Sequence, residues 1–253
     1  MLIESTHNEN VKKAKALASK KGRAEQGYHF IEGEKLVREA VVSGAEFGMA
    51  FIEEGHDLMH AVLVGSGAEV FTVKRRVMES LTNTENPQWV CATIKTPSMN
   101  VPSFYPTGLI VVLDRVQEPG NLGTIIRTAD AMGAVGVLIG EGSADPYAPK
   151  PVRASMGSVY HIPVWQGDLR TELSRLSDEG SVLICAHLKG DEVLPEIGER
   201  CALIIGNESN GVSDDISEMC SLYRLPMYGF AESLNASVAA GIITYEIAKK
   251  MRS

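Results

Sequence analysis

Cysteine is scarce in this 253-residue chain: Cys91, Cys185, Cys201 and Cys220 lie far apart and form no C-x-x-C pair. That spacing supports neither a zinc knuckle nor a redox dithiol, so buried thiols are expected. Long apolar runs are missing as well. Apolar runs such as residues 108–113 and 201–205 fall well short of the roughly 20 residues of a membrane helix, so no span is expected to cross a bilayer. The start, Met1-Leu2-Ile3-Glu4, lacks the charged region and apolar stretch of a secretory leader, and a cytoplasmic location is expected. There is no G-x-x-x-x-G-K-[ST] phosphate loop. Gly140-Glu141-Gly142 follows a strand-like run, but Asp145-Pro146 stands where a dinucleotide-binding turn needs its third glycine and a helix start. Of the six histidines only His56 and His60, beside Asp57, sit at helical spacing; without a third ligand they point to surface residues rather than to a metal.

What is present is an ordinary globular composition, 44% hydrophobic and 22% charged, with a net charge of -8. The charge is uneven. Acid and base nearly cancel over the first hundred residues, and the acidic excess lies beyond them. Val11 to Arg23 carries Lys12, Lys13, Lys15, Lys20, Lys21 and Arg23 with no acid, a local basic arm of helical composition over Asn10–Lys21 that Gly22 and Gly27 would end. Lys74, Arg75 and Arg76 form a second cluster, better read as a solvated surface run. A helix is expected over Glu32–Ser43, and strands around Met49–Ile52, Ala61–Val64 and Val70–Val73. The proline-bearing stretch near residue 100 marks a boundary, giving a first domain over 1–98, a linker over 99–106 and a second domain over 107–253. In the latter, apolar runs at Leu109–Leu113, Val135–Ile139, Val182–Ala186 and Ala202–Ile205 suit strands buried on both faces of a parallel sheet, with helices over Leu122–Met132, Leu169–Leu176 and Ser233–Met251. The chain therefore reads as α/β in both halves.

Three segments of the second domain cluster polar residues at strand ends. Residues 114–129 read as a strand end, a Pro-Gly turn and a helix, with Asn121 placed to cap that helix and Arg127 free either to form a surface ion pair or to hold a phosphate in a crevice. Residues 203–213 run from a buried strand into a glycine-flanked loop with Glu208 at its tip, Gly211 suited to positive φ and Ser213 opening a short acidic helix. Residues 225–241 enter a helix whose first turn carries Ser233, Asn235 and Ser237; Ser233 reads as its N-cap, and Asn235 inside the helix carries an unrewarded propensity cost.

In this order the three segments resemble the SpoU/TrmH family of RNA ribose 2′-O-methyltransferases, in the SPOUT superfamily. Asn121-x-Gly123-x-Ile125-x-Arg127-x-Ala129, Gly206-x-Glu208-x-x-Gly211-x-Ser213, and Pro226-Met227 followed by Ser233-Leu234-Asn235-x-Ser237-Val238-Ala239 are similar to its three motifs. Val152-Arg153-Ala154-Ser155-Met156-Gly157-Ser158 is also similar to a family segment. Ile3-x-Ser5-x-x-Asn8 and residues 30–40 resemble the substrate-binding domain that many members carry. The resemblance implies a catalytic domain with a C-terminal trefoil knot, a ribosomal-protein-like N-terminal RNA-binding domain, S-adenosylmethionine as cofactor, an RNA substrate and a homodimer. It puts the cofactor against Gly206, Leu225, Met227 and Leu234, and Arg127, Glu208, Ser233 and Asn235 around the reacting ribose. Asn121 and Arg127, with Lys12, Lys13 and Arg23 of the arm, would hold RNA, ribosomal before transfer. Asn207 and Ser209 depart from the smaller residues common beside the family glutamate, which bears on the pocket rim.

Methyl transfer from a sulfonium is an in-line displacement in which positioning does most of the work, and no metal is required. A guanidinium, with a pKa above about 12, is a poor free base. Arg127 is therefore expected to bind the adjacent phosphate and stabilise the developing alkoxide. Two rivals stand beside this reading: a catalytically silent RNA-binding protein of the same fold, and a small-molecule α/β enzyme with a nucleotide cofactor. The intact Asn121, Arg127, Glu208, Ser233 and Asn235 set favours the methyltransferase over the first, and the missing phosphate-binding turns weigh against the second.

Overall fold

The computed structural model describes residues 1–82 and 86–252. The chain divides into two compact units, Met1–Pro97 with Tyr147–Tyr160, and Ser98–Pro146 with His161–Ser253. No helix among the described residues is long and apolar enough to cross a membrane.

The first unit is built on five strands, β1 (Leu2–Ile3), β2 (Tyr28–Glu32), β3 (Phe47–Glu53), β4 (Glu69–Val73) and β5 (Val90–Lys95), in the order β1-β4-β3-β5-β2. β1 and β3 run parallel to β4, while β5 is antiparallel to both β3 and β2. The helices are α1 (Glu9–Ala16), α2 (Lys20–Gln26), α3 (Glu34–Val42), α4 (Asp57–Gly65) and α5 (Arg75–Leu81). The basic arm is thus two helices rather than one. Gly22 lies inside α2, where a Cβ would come within 2.0 Å of the Ala16 carbonyl, and only Gly27, at φ 72°, ends the segment. Val11, Ala14 and Leu17 are buried, so the arm is part of the core as well as a row of charges. The expected strand at Ala61–Val64 is instead the middle of α4: Met59 and Leu63, one turn apart, are buried while Leu58 and Val64 face solvent. A four-residue apolar run has no period of its own to distinguish the two. His56 stacks face to face on Trp89, with ring centroids 3.9 Å apart; the Asp57 side chain lies outside the described residues.

The second unit is a six-stranded, all-parallel sheet of β6 (Leu109–Leu113), β7 (Gly136–Ile139), β8 (Val164–Gln166), β9 (Val182–Asp191), β10 (Cys201–Ile205) and β11 (Ser221–Tyr223), in the order β11-β9-β10-β6-β7-β8. Its helices are α6 (Pro119–Ala131), α8 (Leu169–Asp178), α9 (Asp214–Ser217) and α10 (Ala236–Lys250), while α7 (Pro149–Ser155) packs with the first unit. Every residue of the two central strands, β6 and β10, is buried, as parallel strands covered on both faces require. Burial also pushes the Cys185, Cys201 and Cys220 thiols up to about 12, so none is a thiolate near neutral pH.

The proline-bearing stretch over 99–106 is laid against this unit. The Met99 carbonyl accepts from the Gln166 N–H at 2.7 Å, and Arg175 donates to the carbonyls of Pro102 and Ser103. Tyr105 is fully buried, with its hydroxyl donating to the Glu172 carboxylate at 2.8 Å. Tyr105→Phe leaves that buried carboxylate short of a donor and is expected to cost about 1–3 kcal/mol. The check is a lower urea midpoint with an unchanged slope.

Candidate active site

In a parallel sheet the C-terminal strand ends face one edge, and loops leaving them converge there. Three such loops build the site. The first leaves β6 through the buried Asp114 and through Arg115, held at φ 55°, and enters α6. Its helix cap is not Asn121 but Glu118, whose carboxylate accepts from the Asn121 N–H at 2.6 Å; α6 begins at Pro119, whose missing N–H costs nothing there. Asn121 therefore stands in the first turn with its side chain free to reach outward.

The second loop leaves β10 at Gly206. A Cβ there would lie 2.1 Å from the Gly211 carbonyl carbon and the Val212 nitrogen, so only glycine lets the two backbones cross. Asn207 and Gly211 exchange backbone hydrogen bonds at 3.0 and 2.9 Å, and the Asn207 side-chain carbonyl accepts from the Ser209 and Asn210 N–H groups. Asn207, at odds with the family pattern, is thus the organiser of this turn. Gly211 is at φ 70° as expected. Ser213 opens α9, and both its N–H and its hydroxyl donate to Asp114 at 2.7 Å, locking the second loop to the first.

The third loop leads into α10. That helix begins at Ala236, and its N-cap is Asn235 rather than Ser233: the Asn235 side-chain oxygen accepts from the N–H groups of Ser237 and Val238. The cap position removes the propensity cost assigned to Asn235, because a cap residue is not helical. Ser233 is exposed in the loop before it.

One side-chain chain joins the three loops. Asn235 Nδ2 donates to Asn121 Oδ1 at 3.1 Å, and Asn121 Nδ2 donates to Glu208 Oε1 at 3.0 Å. Glu208 also accepts from the Glu118 and Gln117 N–H groups at 3.1 and 3.3 Å. Partial burial works against ionisation of Glu208, but the Asn121 amide and the backbone donors outweigh it and hold its carboxyl below the ordinary glutamate value. Beside this chain opens a cleft of about 420 Å³. Gly206, Leu225, Met227 and Leu234 all line it, with Glu208 and Ser233. Ala239 and Ile243 of α10 and the end of β9 from Ala186 to Lys189 complete its wall, a contribution that sequence reasoning missed. Asp114, likewise missed, carried one signal: it is the first polar residue after a buried strand. Arg127 stands apart, on the third turn of α6, exposed and without a hydrogen bond or ion pair among the described residues, and it does not line the cleft.

Of the arm residues, Lys12 is exposed and paired with Glu9, and Lys13 is exposed. Arg23, expected to face RNA with them, is buried instead: its guanidinium donates to the carbonyls of Leu17 and Ala18, just beyond the end of α1, which commits the charge to the fold.

A cleft bounded by loops at the C-terminal edge of a parallel sheet is where α/β proteins of this layered class bind their ligands. Residues 108–245 match the SpoU rRNA Methylase family, and residues 8–92 match the MRM3-like substrate binding domain. A Bacillus subtilis protein named 23S rRNA (guanosine(2553)-2′-O)-methyltransferase RlmP is 36% identical over 248 residues, covering 97% of this chain and 98% of its own. The crystal structure of an rRNA methyltransferase from Sinorhizobium meliloti aligns with a TM-score of 0.91 at 32% identity, over 100% of this chain and 99% of that one; its AdoMet-bound form aligns at 0.89. The chain belongs to the SpoU rRNA methylase family.

The chain of amides makes Glu208 a reporter of the whole site. Its carboxyl is expected to titrate below 4.5 and to move upward in Asn121→Ala, read by carboxyl-carbon NMR. Because the folded-state pKa is depressed, the order that Glu208 lends the loop is present above the ordinary value and is lost as pH falls through the lowered one.

Proposed function

We propose that the protein methylates a ribose 2′-hydroxyl of ribosomal RNA, as a homodimer in the cytoplasm. As a SpoU methylase the chain is an S-adenosylmethionine-dependent RNA 2′-O-methyltransferase, with a substrate-binding domain ahead of the catalytic one. The observation that carries the site assignment is the Glu208–Asn121–Asn235 hydrogen-bond chain beside the cleft. The preference for ribosomal RNA is supported by the 23S activity printed in the name of the Bacillus subtilis relative. The trefoil-knot reading of this unit is supported by its match to the SpoU family.

The cleft suits the cofactor. Gly206 lets the loop close on its own backbone at Gly211 and Val212 where a Cβ could not fit, while Ile205, Leu234, Ala239 and Ile243 offer apolar wall. Gly206, Leu225, Met227 and Leu234 would hold S-adenosylmethionine, which when bound supplies the methyl group. Glu208, kept ionised by its donors, fixes the Asn121 amide, and Asn121 fixes Asn235; Asn235 and Ser233 then orient the ribose from the α10 side. Arg127 binds the phosphate next to the reacting nucleotide and stabilises the negative charge that grows on the 2′-oxygen, while the proton leaves through phosphate or water.

A homodimer is supported by α10, where Val238, Ile242 and Tyr245 form an exposed apolar stripe, and by the fully exposed Tyr228 and Phe230 in the loop before it. A second copy covering these would complete a site that Arg127 does not touch within its own chain. Replacing both Val238 and Ile242 by Glu is expected to convert a dimer into a monomer in sedimentation velocity; a monomeric parent protein would overturn the dimer.

The direct test is transfer of radiolabel from S-adenosylmethionine to unmodified ribosomal and transfer RNA, followed by alkaline digestion. Label in a single alkali-resistant dinucleotide from ribosomal RNA is expected. Arg127→Ala is expected to abolish it while leaving cofactor affinity intact, and equal loss of both would sink the role given to Arg127. Cofactor binding with no transfer to any RNA would identify the chain as a silent RNA-binding relative.

A further inference from the structure

The first unit contains a groove with no part in the chemistry above. Two adjoining recesses, of about 80 and 260 Å³, share Glu32, Leu36 and Arg153 in their walls. One wall is α7, which in sequence follows β7 of the catalytic sheet yet packs on β2. It is held closely: Met156 ends α7 at φ 54°, and Gly157, at φ 101°, lies so near α3 that a Cβ would be 2.3 Å from Glu39 Cγ. This wall lies outside residues 8–92, the stretch matched to a substrate-binding domain.

Most cations of this unit are paired; Lys13 and Lys20 are exposed without an ion-pair partner among the described residues and lie away from the groove. Lys21 pairs with Glu25, Arg38 with Glu34, Lys74 with Glu54, Arg75 with Glu53 and Lys95 with Glu46, each at 3.8 Å or less. Arg76 donates to the Glu4 carbonyl. In contrast, Lys15 of α1, Lys35 of α3 and Arg153 of α7 are exposed, have no ion-pair partner among the described residues, and all line the groove. Phe30 and Leu36 give the groove apolar wall, the Glu32 carboxylate in both recesses accepts from the Gln88 N–H, and Gln88 presents an amide whose oxygen already accepts from the Glu34 N–H, leaving its NH₂ to donate.

Three such cations on three helices, beside an aromatic and an amide, match a short single-stranded stretch of RNA: phosphates on the rim, a splayed base against the apolar wall. We propose that this groove binds a segment of the substrate RNA distant from the methylated nucleotide, and that α7 completes a recognition surface which the N-terminal residues alone do not form. The proposal rests on the function given above. It makes Lys15, Lys35 and Arg153 specificity-determining residues that touch RNA and take no part in methyl transfer.

The test compares the full-length protein with two triple variants carrying the same change in net charge: Lys15→Glu/Lys35→Glu/Arg153→Glu in the groove, and Lys74→Glu/Arg75→Glu/Lys95→Glu among the paired cations. The probe is an unmodified 23S ribosomal RNA transcript. The groove variant is expected to raise KM for RNA by about tenfold or more and to flatten the slope of log affinity against log salt by about 2, at ~0.7 per lost contact with single-stranded phosphate. Its kcat at saturating RNA and its affinity for S-adenosylmethionine are expected to stay at the parent values, which also verifies folding; the glutamine version of the same triple repeats the test without charge reversal. Groove variants whose KM and salt slope equal those of the paired-cation variant overturn the groove while the methyltransferase reading stands. A parent protein that neither binds nor methylates RNA overturns both.

Discussion

A single carboxamide holds the active edge together. Asn121 accepts from Asn235 and donates to Glu208, so one side chain ties the loop after β6 to the loop after β10 and to the start of α10. An amide suits this post because it carries a donor and an acceptor on one rigid plane, which neither a carboxylate nor a hydroxyl offers in that geometry. Each partner is itself committed: Glu208 to the N–H groups of Gln117 and Glu118, and Asn235 to capping α10. The position of the cleft wall thus follows from a hydrogen-bond network with little slack.

That network is possible only because the all-parallel sheet brings the three strand ends to one edge. Backbone crossings narrow the options further. Gly206 passes within contact of Gly211 and Val212, and the Asp114–Ser213 hydrogen bonds clamp the start of α9 beside it. The loop is thereby held on a rigid base at the edge of the cleft. Chemistry that works by positioning a hydroxyl and a methyl group needs such rigidity more than it needs a strong acid or base.

Much of this was legible in advance. Runs of β-branched and apolar residues at 109–113 and 201–205 marked the two central strands, since burial on both faces removes any need for alternation. The polar residues that gather at the cleft stood out as three segments near strand ends, and the resemblance to the SpoU/TrmH family joined them into one set. Local details were less secure. Asn121 and Ser233 both had good capping chemistry, yet Glu118 and Asn235 cap the helices, because an N-cap is chosen by where the chain turns and several residues near a helix start can serve. Ala61–Val64 reads as a strand yet forms part of α4, because a short apolar run has no period of its own. Arg23 was assigned to RNA from its neighbours' charge, while its burial against α1 depends on a break between two helices that composition does not reveal.

Composition and spacing settled the α/β class and the buried parallel strands, because those follow from local pattern, while the candidate site residues were named by the resemblance of three short motifs to the SpoU/TrmH family. Tertiary structure alone decided which of those residues meet. The contact between Asn121 and Asn235 spans 114 positions, and α7 leaves the chain of the second unit to wall a groove in the first. Such meetings are set by the order in which strands are laid into a sheet and by the crossings that glycine permits, and no local pattern encodes either.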